Sequence, residues 1–223
     1  MYTDSELSVF RSPIDYVSWF DGLLSRIHAD PSQKEKALTH EGRFKIIYEE
    51  LFPLARLLKL KARDWARSRF KSVIGSQSYD VEVQDHPLRF LEIVSTVYDD
   101  AERFRMLKFI QEKSVDALGR ILRDDEGKPI AIDDEGGMRL HADLVRERLL
   151  LIEAAIKRKS SKSYAARTGL VVYFDDSSIE ISPGDWSRFS SLVESMRAFW
   201  QPVFDSVHLI GPKGEISIEL QKT

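Results

Sequence analysis

The stretch "SYDVEVQDHPLRFLEIV", residues 78–94, decides the fold. Two apolar runs, "YDVEV" and "FLEIV", flank the polar link "QDHPLR" and read as neighbouring antiparallel strands. Each run carries a carboxylate where a buried strand tolerates one poorly: Asp80 in the first, Glu92 in the second. Side chains alternate along a strand, so Glu82 shares the face of Asp80, and Val94 the face of Glu92. Two acids near matching ends of paired strands bring oxygens within reach of one hard cation. Magnesium takes about six oxygens at about 2.0–2.1 Å, usually one or two of them from carboxylates. The backbone carbonyl of Ile93 is a natural third ligand. The competing reading has Asp80 starting a turn and Glu92 paired with Arg103 or Arg105.

Outward from this pair, the period changes. Toward the N-terminus it is helical. Ile14, Val17, Phe20, Leu24 and Ile27 lie on one face of a helix over 13–28. A longer helix is expected from about Lys34 to Leu60, bent at Pro53, which lacks a backbone N–H. "SVIG" (72–75) reads as a strand ahead of "YDVEV". Beyond Glu92 come a helix over 99–114, a hairpin near 115–139 with an acidic tip, and an amphipathic helix over 140–164. A buried strand "GLVVYF" (169–174), a capped helix from "SPGDW" and a terminal hairpin, "SVHLIG" with "EISIEL", complete the chain. This order predicts an α/β fold, α+β-like in its segregation, with a mixed central sheet flanked by helices. Residues 1–32 are expected to form an N-terminal helical extension, and 33–223 the main domain with the hairpin as an insertion.

Composition narrows the chemistry. The 223 residues hold no cysteine, which excludes disulfides, thiolate zinc sites and a Cys nucleophile. A cysteine-free chain suits a reducing compartment. The start "MYTDSELSVFRSP" lacks a basic segment followed by an apolar core, and no apolar run approaches the roughly 18–20 residues that span a membrane. A cytoplasmic protein without a membrane partner is the expectation; the oligomeric state is open, and a dimer is compatible with the sequence. GxxxxGK[ST], GxGxxG after a strand, and GxSxG are all absent. The five histidines are scattered, without HxH or HxxxH spacing. In "DDEGK" the glycine at 127 would place the first ligand of a calcium loop at Leu122, which has no oxygen to offer from its side chain.

With "YEELFPLARLL", "GSQSYD", "FLEIV" and then "AIKRKSSKSY…GLVVYF" in this order, the chain over roughly 34–211 resembles the PD-(D/E)xK superfamily of restriction-endonuclease-like proteins. The resemblance implies a restriction-endonuclease-like core and a magnesium- or manganese-dependent nuclease. Asp80 would be the motif aspartate and Glu92 the second acid, with Ile93 completing the metal set. Tyr79 stands where the family has proline, and Val94 where it has lysine. Valine can neither orient water nor offset charge, so a migrated cation is required. Lys157, Lys159 and Lys162 on the helix over 140–164 are the candidates, with Arg103 and Arg105 as alternatives. Gln77 would contact substrate or water, and Glu41 or Glu49 would add an acid. The other reading is a nuclease-fold binding or assembly module that has lost catalysis. Two basic stretches, "RLLKLKARDWARSRFK" (56–71) and "IKRKSSKSYAAR" (156–167), point to nucleic acid as a partner. Their aromatic residues are candidates for stacking on unpaired bases.

Overall fold

The computed structural model describes residues 2–75, 77–97, 100–112, 120–133, 140–176, 182–214 and 217–222, apart from the side chains of Lys34, Glu35, 100–103 and Arg120. A short helix α1 (Asp4–Leu7) and a longer one, α2 (Pro13–His28), lead into α3 (Pro31–Leu38). α2 begins at a Ser12 cap with Pro13 in its first turn, a position where a missing N–H costs nothing.

The single helix expected over 34–60 is broken. His40 and Gly42 both have positive φ, 53° and 57°, which stops α3. The chain restarts as α4 (Arg43–Ile46), widens into a π-helical turn (Ile47–Leu51) and continues as α5 (Phe52–Lys61). Pro53 explains the widening. Its ring occupies the space of the carbonyl four residues back and offers no N–H, so the turn before it opens to i→i+5 bonding. The expected bend at Pro53 is therefore a π turn that carries Glu49 and Glu50.

Strands β1 (Arg69–Ser72), β2 (Val81–Gln84), β3 (Phe90–Ser95), β6 (Thr168–Tyr173), β7 (Ser206–Ile210) and β8 (Ser217–Gln221) form a six-stranded mixed sheet in the order β1-β2-β3-β6-β7-β8. The three central strands are parallel and the outer pairings antiparallel. Between β3 and β6 lie α6 (Asp100–Glu112), a separate two-stranded sheet of β4 (Arg120–Arg123) and β5 (Pro129–Asp133), and α7 (His141–Ser160). Between β6 and β7 run α8 (Pro183–Ser195) and α9 (Arg197–Trp200). Parallel neighbours need such crossovers.

The sheet divides two hydrophobic clusters. Phe70, Val81, Val83, Leu91, Ile93 and Tyr173 face α1–α5, while Val94, Leu170, Val172, Val207 and Leu209 face α7–α9. Tyr16, Phe20, Leu23 and Ile27 belong to the first cluster, so the N-terminal 32 residues share the core of the sheet rather than standing apart from it. β6 and β7 are buried along their whole length, as central parallel strands are when covered on both faces. Among the described residues, no helix is long and apolar enough to cross a membrane.

Candidate active site

Asp80 ends the loop before β2. Its backbone N–H donates to the carbonyl of Leu91 at 2.9 Å, and its side-chain Oδ2 accepts from the N–H of Ile93 at 2.7 Å. The carboxylate thus occupies the place of the next ladder bond and pins the acid to the edge of β3. In a strand, the N–H and C=O of one residue point the same way, so the carbonyl of Ile93 faces the Asp80 side of β3. The expectation placed both acids on paired strands; Glu92 is on β3, while Asp80 stands one residue ahead of β2, close enough for the charge of Glu92 to raise its carboxyl.

Glu92, on β3, is 6 % exposed, and a carboxylate so placed needs partners. It has two. The ammonium of Lys159 donates to its Oε1, and so does the hydroxyl of Tyr164, at 3.3 Å. Lys159 stands in the last turn of α7, where the helix dipole favours a cation. It follows buried Ile152 and Ile156 on the apolar stripe of the helix, and residues three or four apart share a face. Lys157 is two positions away, on the opposite side. It pairs with Glu153 at 2.6 Å and lies 5.6 Å from the ring centre of Phe199, so its candidacy is corrected. Lys162 lies just past α7, exposed, near enough for its charge to favour the ionised form of Asp80.

The π turn brings a third acid. Burial pushes the Glu50 carboxyl up to about 8, helped by repulsion from Asp80, Glu49 and Glu92 and opposed by Lys159. Asp80 is pushed up to about 7, first by burial and then by Glu92, against the Ile93 hydrogen bond and the two lysines. Burial also raises Glu49, which feels Lys45, Arg158 and Lys159. The Tyr164 hydroxyl is raised by burial and by Glu92, so it remains a donor at any ordinary pH. Sequence reading named Glu49 but not its neighbour. The available signal was Pro53, because a π turn rotates each following position away from its α-helical direction. Glu41 is exposed in the turn before α4, where it serves no such role.

The remaining candidates are elsewhere. Both amide protons of Gln77 go to backbone, at 3.1 Å to Val73 and 3.0 Å to Tyr79, so the residue braces the loop before Asp80 instead of presenting a polar group to substrate. The side chain of Arg103 lies outside the described residues. Arg105 is on α6, which packs against β5 of the small sheet. Glu82 is taken by Lys71 at 2.7 Å. In the first basic stretch, Trp65 is a core residue stacked on Phe70 at 5.6 Å, and Lys61 pairs with Glu219 at 2.6 Å. These correct the expectation of a basic helix with interleaved stacking aromatics, because its end, Arg69–Ser72, is a strand.

The donor set is all oxygen, which suits a hard divalent cation such as magnesium or manganese. Burial and the charge of Glu92 raise the Asp80 carboxyl, burial with Asp80, Glu49 and Glu92 raises that of Glu50, and the ammonium of Lys159 opposes both shifts. Among the described residues, no three or more histidine, aspartate and glutamate side chains converge closely enough to hold a metal ion by themselves. An ion that takes one or two protein carboxylates and fills its shell with water and phosphate needs no such cage. Comparison of the chain with family models, with curated proteins and with solved structures finds no match.

Proposed function

We propose that this protein is a metal-dependent nuclease hydrolysing phosphodiester bonds, a divergent relative of the PD-(D/E)xK enzymes. The observation that carries this reading is the contact of Lys159 with Glu92, beside Asp80. A lysine from a distant helix supplies, next to both acids, the cation that Val94 lacks. Asp80, Glu92 and the carbonyl of Ile93 would hold the ion. Once bound, magnesium or manganese would lower the pKa of a water and offset charge on the phosphate oxygens.

The rest is the work of the chain. Lys159 is poised to donate to the attacking water or to a non-bridging phosphate oxygen, where negative charge develops. Glu50, pushed up to about 8, has a proton affinity suited to general acid–base work near neutral pH. Tyr164 holds Glu92 in place by its hydrogen bond. A second reading, a nuclease-fold binding or assembly module without catalysis, is favoured by one observation, the buried Val94 where the motif of the resembled family has lysine.

The test is cleavage of labelled single- and double-stranded DNA and RNA with Mg²⁺ or Mn²⁺. The parent cuts at least one of them. Glu92→Gln abolishes cutting, and Lys159→Ala lowers it by about 10²–10⁴, the usual worth of a positioned proton donor. Lys157→Ala cuts like the parent. No cleavage of any substrate by the parent leaves the binding module as the better reading.

A further inference from the structure

β1 and β2 contribute no residue to the cluster beneath α7–α9, so their face on that side is open among the described residues. The register lays out what it presents. Arg69 is opposite Gln84, Lys71 opposite Glu82, and Glu82 opposite Phe90. Phe90 precedes Glu92 by two positions on β3, so the two share a face about 7 Å apart. This face, crossed by the Lys71–Glu82 pair, leads past Phe90 toward the carboxylate site, where Glu92 itself is buried.

Tyr79 lies against Phe90, with ring centres 4.3 Å apart and planes inclined by 31°. Both rings are half-buried and line a shallow depression of about 670 Å³, together with Phe10, Arg89 and Arg167 and the carboxylates Glu82 and Asp85. Arg167 is committed to the carbonyls of Pro87 and His86, at 2.6 and 3.1 Å. Lys71 is neutralised by Glu82. Arg69 and Arg89 are exposed, and neither meets a carboxylate among the described residues. Here is a ring pair with the cation Arg89, unpaired among the described residues, in its lining and Arg69 across the strand from Gln84, adjoining a site that acts on phosphodiesters in the reading above; of the acids in the lining, Glu82 is paired with Lys71.

We propose that this open face seats one unpaired nucleic-acid strand, with a base stacked on the Tyr79–Phe90 rings and phosphates held by Arg69 and Arg89 on the way to Glu92. The inference rests on the nuclease reading and deepens it, naming single strands or unpaired ends as the substrate. A duplex keeps its base faces covered and offers the rings nothing, whereas an unpaired base offers a π-face whatever its sequence.

The test is fluorescence polarisation of a labelled 15-nucleotide strand and of the same sequence as a duplex, in EDTA so that nothing is cut. The single strand binds at least about tenfold more tightly than the duplex at equal salt. Tyr79→Leu and Phe90→Leu keep apolar cover but remove the aromatic face, and each weakens single-strand binding by about 5- to 150-fold, the range for losing one stacked base. Arg89→Ala lowers the slope of log affinity against log salt by about 0.7. Equal or tighter duplex binding, no binding at low salt, or parent-like affinity in leucine variants that melt like the parent overturns the proposal. So does an acidic peptide that competes as well as the strand, since the face then takes a protein. If a leucine variant melts early, a strand carrying 2-aminopurine decides with the parent protein: quenching on binding supports stacking, and unchanged fluorescence overturns it. Parent protein that binds through this face but cuts nothing sinks the nuclease reading alone. Cutting that survives both leucine changes, with binding unaltered, sinks this proposal alone.

Discussion

At the scale of single residues, the acids near Glu92 make stability depend on pH in a defined window. A carboxyl with a higher pKa folded than unfolded binds its proton more tightly in the folded state. Its stabilising effect is complete below the unfolded value, about 4, and is lost as pH rises through the folded value. For Asp80 and Glu50 that loss begins above about pH 4 and is complete only past about pH 7 and 8. Buried histidines act the other way. Burial lowers His40 and His208 to about 4 and also lowers His86, so their effect is complete above about pH 6.5 and is lost as pH falls. Above about pH 7.5, where the unfolded histidines too are neutral, the raised carboxyls set the slope up to about pH 8.5. Urea melts of the metal-free protein are expected to show stability falling across that range, with Glu50→Gln flattening the fall and melting later than the parent at pH 8.5. A flat parent profile would mean that Glu50 and Asp80 are not held as described. Lys159→Met supplies a second check at this scale. Without its ammonium Glu92 is buried with only Tyr164, so the variant loses about 3–5 kcal/mol, and Lys159→Met with Glu92→Leu recovers much of it.

At the scale of elements, helix ends give predictions separate from the site. The Ser182 side chain accepts from the N–H of Asp185 at 3.2 Å, and Asp185 returns a bond to the Ser182 N–H at 3.0 Å. His141, at the start of α7, adds a contact to Asp185 at 2.9 Å. Ser182→Ala is expected to cost about 1 kcal/mol in urea melts while leaving cleavage and strand binding as in the parent. The elements also show what the sequence made legible. β3 and β6 are dense in β-branched and apolar residues and were readable as core strands; β7 was readable only as an arm of the terminal hairpin, and its parallel pairing with β6 was not. α7 was readable as an amphipathic helix with a basic end. β1 was not, since "RFKS" follows a basic run of helical composition and becomes a strand through pairing with β2 and a bridge from Arg11 to Phe70. The bridge partner Arg11 lies far off in the chain and leaves no local mark. The break at residues 40–42 was likewise hidden, because a positive φ at His40 is not written in its side chain.

At the scale of the whole molecule, a cation that binds the folded state alone should stabilise it. Mn²⁺ at about 100 times its dissociation constant contributes about 2.7 kcal/mol. For a chain of this length that is roughly 5–10 °C in Tm. Asp80→Asn with Glu92→Gln is expected to remove the rise, and an equal rise in parent and double variant would place the ion elsewhere. The candidate site was legible in part. Asp80 and Glu92 stood out because acids interrupt apolar strand runs. Which of the three candidate lysines reaches Glu92 depended on the rotation of α7, and the stripe of Ile152 and Ile156 carried that information. Glu50 depended on the π turn, a departure from the helical period that no periodic reading anticipates.

The distance along the chain between the partners of Glu92 also sets an order in time. Asp80 and Ile93 are 13 residues apart, and Glu92 and Lys159 are 67. Closing the longer loop costs about 1.5 kcal/mol more chain entropy than the shorter one. The hairpin of β2 and β3 can therefore close early, with its acids in place, whereas the lysine arrives only when α7 docks and β6 pairs with β3. In refolding followed by stopped flow, the two carboxylates should come together in a fast phase, and protection of the Lys159–Glu92 contact should appear only with the slow, rate-limiting one.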